Sequence, residues 1–240
     1  MPLRGVEMRI LHVLLVVIPL SLPGAALAQR SPVVVELFTS QGCTSCPPAD
    51  ALLGELADRP DVLPLALHVT IWDYLGWKDK FGLEANTRRQ YAYAKAARKR
   101  SIYTPQMIVE GVDRAVGSDA ERVLELVAEH ARIPPAAELD IERRGEVLNI
   151  RLAPVGPAGS GPADVYLVRF MDNETVAIEY GENAGQEIEY HNIVTDWTAL
   201  ARWDGRTEAE FGVELAGDAN VAVIVQQERF GPVLTAARLP

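Results

Sequence analysis

Cysteine is nearly absent from this chain: 240 residues contain two, Cys43 and Cys46. That excludes a framework of several disulfides, and it excludes a four-thiolate structural zinc site, because no second pair completes the tetrahedron. Histidine is scarce as well, at positions 12, 68, 130 and 191. Positive charge is in deficit, with 23 Lys and Arg against 33 Asp and Glu and a formal charge of −10. Such a balance argues against a nucleic-acid partner. No apolar run reaches the ~20 residues that a spanning helix needs. Internal repeats are missing too, and low complexity is confined to the loop from Gly156 to Pro162.

The first 28 residues are different in kind. Arg4 and Arg9 precede an apolar run from Ile10 to Leu22, followed by Pro23-Gly24 and Ala26-Leu27-Ala28. A basic start, a short apolar core and a small-x-small ending predict a signal peptide, residues 1–28, cleaved after Ala28. The expected mature protein is periplasmic or secreted and has no membrane span. Losing Arg4, Arg9 and Glu7 removes two positive charges and one negative, taking the formal charge from −10 to −11.

The remainder divides near Pro134-Pro135. Val33 to Phe38 is a β-branched run read as a buried strand, and Leu52, Leu53 and Leu56 fall at helical spacing after Pro48. A second strand is expected over Val62 to Val69, and a polar helix over Asn86 to Lys99. Gln106 to Val109 and Val112 to Val116 flank Glu110-Gly111 as a tight hairpin. Ser118 or Asp119 is placed to cap a last helix through Leu124 and Val127. The order β-α-β-α-β-β-α describes a small α/β layer fold over residues 29–134.

Residues 135–240 read as almost all strand. Leu139–Ile141, Val147–Leu152, Val165–Phe170, Thr175–Tyr180, Ile188–Val194, Phe211–Leu215, Val221–Val225 and Val233–Leu239 alternate and are separated by Gly, Asn and Asp. This pattern predicts a mostly antiparallel β-sandwich. Asp196 to Trp203 reads as a short connection or a brief helix, and Gly181-Glu-Asn-Ala-Gly185 as a turn.

Both cysteines lie in Phe38-Thr-Ser-Gln-Gly-Cys-Thr-Ser-Cys-Pro-Pro-Ala-Asp50, between the first strand and the first helix. A structural staple closing so small a loop removes little unfolded-chain entropy, roughly 2 kcal/mol. A metal site lacks ligands of its own kind. Redox chemistry gives the spacing a purpose: Cys43 at the helix N-terminus is favoured as a thiolate, and Cys46 is placed to resolve the mixed disulfide that Cys43 forms. Pro47 and Pro48 contribute no N–H, so the amides of Ser45 and Cys46 are expected to face the anion.

At this point the chain resembles the thioredoxin superfamily over about Val33 to Arg132. The resemblance rests on strand, Cys-x-x-Cys and helix, and on Thr104-Pro105 opening the strand Gln106 to Val109. It implies that Pro105 is a cis-proline beside the cysteines and that Thr104 contacts substrate through its backbone. Departures are the missing tryptophan before Cys43, the Thr-Ser dipeptide, and an insertion holding Trp72-Asp-Tyr-Leu-Gly-Trp-Lys-Asp79. That segment, the cysteine motif and Gly181-Glu-Asn-Ala-Gly185 together resemble a bacterial family of secreted, thioredoxin-like proteins of unknown function.

Trp72 and Trp77 are candidate substrate contacts lining a groove beside Cys43, since Trp gives large contact area at interfaces. They serve equally well to pack the insertion onto the sheet. His68, ending the second strand, raises a competing reading in which Cys43, Cys46 and His68 carry copper(I). The expectation from sequence is therefore an α/β thioredoxin-like domain followed by a mostly antiparallel β-sandwich, acting as an exported thiol-disulfide oxidoreductase. Its partners would be protein thiols or disulfides and a redox partner, with no cofactor and no resident metal. The alternative is a non-catalytic binding protein of that fold.

Overall fold

The computed structural model describes residues 31–156 and 160–239. The expected leader, residues 1–28, lies outside them. Strand β1 (Val33–Thr39) is buried at every position. It pairs in parallel with β2 (Val62–His68), in register from Val33↔Val62 to Thr39↔His68, and helix α1 (Pro47–Ala57) makes the crossover. On its other side β1 pairs antiparallel with β3 (Gln106–Val109), which continues into β4 (Asp113–Val116). The turn between them puts Glu110 at φ 50° and Gly111 at φ 74°. Helix α2 (Glu84–Ala96) precedes β3, and α3 (Ala120–His130) follows β4. The Asp119 side chain caps α3 by accepting the Arg122 amide at 3.2 Å.

Alternation along β1 separates two cores. Val33, Val35 and Leu37 pack with Leu52, Leu53 and Leu56 of α1 and with Val123, Leu126 and Val127 of α3. Val34 and Phe38 face the other way, onto Tyr93 of α2.

The sheet continues beyond residue 134. Hairpin β7 (Ala163–Ala177) and β8 (Glu187–Trp203) joins it through a parallel bridge between Ala66 of β2 and Ile193 of β8. With β10 (Asn220–Gln227) and β11 (Val233–Arg238) the order becomes β11-β10-β7-β8-β2-β1-β3-β4. The protein is therefore mixed α/β, dominated by one large mixed sheet. A second sheet, antiparallel, is made of β5 (Ala137–Arg144), β6 (Val147–Pro154) and β9 (Ala209–Glu214) in the order β5-β6-β9. Leu148, Ile150 and Leu152 of that sheet share a core with Val165 and Leu167 of β7 and with Val223 and Val225 of β10.

Two sequence expectations are corrected here. Asp196 to Trp203 is neither a connection nor a helix but the second half of β8, paired with β7 as far as Trp203↔Ala163. Val165–Phe170 and Thr175–Tyr180 are not two strands, because β7 runs unbroken through Ala177. Register shifts at Val165/Tyr166 and Arg169/Phe170 keep the long hairpin paired by bending it.

The large sheet curls so that β10 and β11 come back over β1. Ala222, Ile224, Val233 and Ala236 of β10 and β11 share a core with Val34 and Phe38 of β1. Within it, Arg89 of α2 donates to Glu36 through Nε at 2.5 Å and through Nη2 at 2.9 Å. The guanidinium stands 3.7 Å from the centroid of the Trp197 ring and also donates to Gln226 Oε1 at 3.0 Å. Charge, ring and amide come from both halves of the chain. No helix among the described residues is long and apolar enough to cross a membrane.

Candidate functional site

Beyond Thr39 the chain turns through Ser40-Gln41-Gly42 before reaching the cysteines. Cys43 and Cys46 are joined in a disulfide, with Cα atoms 5.4 Å apart. Both are buried, Cys43 at 6% and Cys46 at 0% exposure, beneath the exposed Thr44 and Ser45. Helix α1 opens at Cys46, one turn beyond Cys43, where the sequence placed its start. Cys46 is the N-cap, and Pro47 and Pro48 form the first positions, because proline has a preset helical φ and no N–H to satisfy there. Ala49 and Asp50 both direct their amides to Cys46 O, and the Cys46 amide is taken by Cys43 O at 3.1 Å. The Cys46 amide is thus already engaged. The amides of Thr44 and Ser45 make no hydrogen bond among the described residues.

Much of the rest of this loop's backbone is tied down, although Gln41 Nε2 is buried without a partner in the described structure. Gln41 N donates to Asp79 Oδ2 at 2.9 Å, Gly42 N to Ser40 Oγ at 3.2 Å, and Cys43 N to Ser40 O at 3.1 Å. Gln41 O and Cys43 O accept from a single amide group, Asn183 Nδ2, at 2.9 and 3.0 Å. Asn183 belongs to the Gly181–Gly185 turn between β7 and β8, and it is 1% exposed.

The insertion braces the same loop. Trp77 Nε1 donates to Gln41 Oε1 at 2.9 Å, and its ring lies 6.3 Å from that of Tyr180. Trp72 Nε1 donates to Thr104 Oγ1 at 2.7 Å. Trp72 also lies against Gly42, where an added methyl group would come within 3.2 Å of Trp72 Cβ. Both tryptophans are half-buried, while Tyr74 beside them is 75% exposed.

The Thr104–Pro105 peptide is cis. Pro105 borders the first turn of α1, since a methyl group on Gly117 would lie 3.0 Å from both Ala49 Cβ and Pro105 Cβ. Thr104 makes no backbone hydrogen bond among the described residues. Trp72 thus joins Thr104 directly and Cys43 through Gly42, whereas Trp77 reaches the cysteine loop through Gln41.

Behind the disulfide is a buried polar cluster that sequence reasoning missed. Asp79 accepts from Gln41 N and from Phe81 N at 2.8 Å, and its Oδ2 stands 2.7 Å from His68 Nδ1. His68 Nε2, Asp50 Oδ2 and the Tyr190 hydroxyl are buried without a hydrogen-bond partner in the described structure. Asp50, one helical turn beyond Cys46, accepts from Thr39 Oγ1 at 2.7 Å. Burial pushes its carboxyl up to about 7, against the opposing effects of His68 and of the Thr39 hydroxyl. Among the described residues, no group of three His, Cys, Asp or Glu side chains has the arrangement to hold a metal ion.

Residues 34–226 match the family model described as "Protein of unknown function (DUF1223)". The chain belongs to this family. Among solved structures, the DUF1223 chain is similar to a structural-genomics protein of Agrobacterium tumefaciens, solved by X-ray crystallography. It is 31% identical with a TM-score of 0.75, over 88% of this chain and 96% of that one. HBP35 of Porphyromonas gingivalis is similar in fold alone, at 14% identity and a TM-score of 0.57, over 88% of this chain and 75% of its own. No curated protein matches the DUF1223 chain.

Proposed function

We propose that this protein is an exported thiol-disulfide oxidoreductase of thioredoxin-like type, acting through Cys43 and Cys46. The observation that carries the reading is the closed Cys43–Cys46 bridge between the end of β1 and the N-cap of α1, with Pro105 beside that helix turn. The β1-α1-β2 crossover and the β3–β4 hairpin support treating residues 33–132 as the thioredoxin-like part. The facing of β5, β6 and β9 against β7 and β10 supports a sandwich-like second part that also completes the larger sheet. A disulfide suits an oxidising compartment, in keeping with the leader read from sequence.

The chemistry is a two-step exchange. In the reduced protein the Cys43 thiolate attacks one sulfur of a client disulfide, forming a mixed disulfide and expelling a client thiolate. Cys46 then gives up its proton and attacks Cys43 Sγ, expelling the second client thiolate and closing the Cys43–Cys46 bridge. Two electrons pass to the client, whose thiolates take two protons from solvent. The reverse sequence oxidises a client dithiol. The unpartnered amides of Thr44 and Ser45 are the nearest donors along the chain for an anion at Cys43, and the unpaired backbone of Thr104 offers an edge to an extended client segment.

The test is equilibration in glutathione and dithiothreitol redox buffers, together with insulin reduction and oxidative refolding of a reduced protein. A reversible couple between about −120 and −270 mV, with turnover lost in Cys43→Ser, is expected. A potential below about −300 mV, with no turnover in either direction, would make the bridge a structural staple. Tight copper(I) binding by the reduced protein, weakened strongly by His68→Ala, would replace the redox reading with a carrier.

A further inference from the structure

We propose that Asn183 is a positioning residue for Cys43, so that the Gly181–Gly185 turn of the second half is a working part of the redox site. The proposal rests on the exchange activity assigned above. Its basis is the bifurcated clamp in which one side-chain amide donates to Gln41 O at 2.9 Å and Cys43 O at 3.0 Å across some 140 positions of sequence.

The clamp is built rather than incidental. Asn183 is buried, and its Oδ1 accepts from Gln186 Nε2 at 3.2 Å, which turns the NH2 end toward the cysteine loop. The turn itself is fixed by Gly185 N donating to Ile178 O at 2.7 Å and Gln186 N to Asn183 O at 3.1 Å. Gly181 and Gly185 adopt φ 79° and 83°, which side chains other than glycine rarely take. A methyl group on Gly181 would come within 3.0 Å of Trp77 Cβ, and Trp77 in turn donates to Gln41. Turn, tryptophan and loop therefore form one contiguous assembly.

Its chemical consequence follows from which groups are engaged. The two clamped carbonyls belong to the peptide units on either side of Gly42-Cys43. Each carries a partial negative charge, and each is held on a donor. Neither can rotate toward a thiolate at Cys43. Cys43 O also accepts the Cys46 amide. The groups left free are the N–H donors of Thr44 and Ser45, which favour the anion. Removing Asn183 leaves Gln41 O without its donor in a buried setting and Cys43 O held by the Cys46 amide alone. The thiolate is then less favoured, and Cys43 attacks more slowly at neutral pH.

The experiment measures the pH dependence of Cys43 alkylation by iodoacetamide in the reduced full-length protein, resolved by peptide mass spectrometry, with thermal stability measured in parallel. In Asn183→Ala the alkylation midpoint should move up by about one pH unit and the rate at pH 7 fall roughly five- to tenfold, the scale of one net hydrogen bond. Asn183→Asp, similar in size and turn preference, should shift the midpoint further, because its carboxylate opposes both carbonyls. It also serves if the alanine variant does not fold. Gly145→Ala, at φ 63° in the β5–β6 turn outside the cysteine loop and its braces, strains the backbone without meeting other atoms, and should lower stability while leaving the midpoint near wild type. Midpoints for Asn183→Ala and Asn183→Asp that match wild type would reduce Asn183 to a turn former and overturn the proposal. A wild-type protein with no exchange activity would instead defeat the redox reading itself.

Discussion

Arg89 and Glu36 meet in a two-pronged ion pair in which both side chains are almost fully buried, 7% and 1% exposed. Burial penalises both charges, and their mutual geometry, the Tyr93 and Gln226 contacts and the Trp197 ring beneath the guanidinium offset that cost. Arg89→Leu should therefore lower stability by about 3–5 kcal/mol, because it leaves the Glu36 carboxylate unpaired. The double variant Glu36→Leu, Arg89→Leu should recover much of that loss. Urea denaturation of the two singles and the double measures the coupling. Additive losses would show that the pair is not interacting as the geometry indicates.

Asp50 gives a pH dependence with a definite sign. Its folded carboxyl is pushed up to about 7 from an ordinary value of 3.8, chiefly by burial. Between about pH 4 and pH 7 the unfolded chain has already released this proton while the folded protein keeps it. Raising the pH through that window therefore favours unfolding, by up to about 1.4 kcal/mol per unit from this group, and the effect levels off above pH 7. Asp50→Asn removes the dependence. The stability difference, variant minus wild type, should climb from pH 4 to pH 7 and then flatten. A difference that stays constant across the window would mean that Asp50 ionises normally.

After reduction, Cys43 should alkylate well before Cys46. Cys46 is fully buried at the N-cap, whereas Cys43 is the more exposed of the two and adjoins the two unpartnered amides. A brief iodoacetamide pulse followed by peptide mass spectrometry checks the order. Equal labelling at an ordinary thiol midpoint would remove the distinction between attacking and resolving cysteine.

Gly117→Ala tests the packing of Pro105 against α1. Its added methyl group would stand 3.0 Å from Ala49 Cβ, 3.0 Å from Pro105 Cβ and 3.2 Å from Leu37 Cδ1. Overpacking of this kind costs about 1–3 kcal/mol. Because Ala49 is bonded through its amide to Cys46 O, the exchange rate should fall together with stability. Unchanged exchange in a destabilised variant would separate Pro105 from the reaction.

What the sequence disclosed depended on how local the signal was. The parallel pair around α1, the Glu110-Gly111 hairpin and the Asp119 cap all follow from residues within a few positions of one another, and each was legible. Asp196 to Trp203 was not, because its strand conformation is imposed by β7 lying alongside rather than by its own Thr-Ala-Leu-Ala composition. Trp72 and Trp77 stood out as large aromatics, but their N–H partners, Thr104 and Gln41, are fixed only by tertiary structure. Asn183 and Asp79 lay inside segments singled out for other reasons. Nothing in Gly-Glu-Asn-Ala-Gly or Trp-Lys-Asp tells a turn former from a brace for the cysteine loop 140 or 38 positions away.

The parallel bridge from Ala66 to Ile193 bears on whether the cysteine-bearing half can be lifted out of this protein. A fragment ending at Pro134 would expose the β2 edge, which is normally lined by β8, and would strip Val34 and Phe38 of the β10 and β11 side chains that cover them. It would also lose the amide that holds Gln41 and Cys43. Such a fragment should associate edge to edge rather than stand alone. Portability, which makes small dithiol modules easy to graft onto other chains, is a property this one has given up.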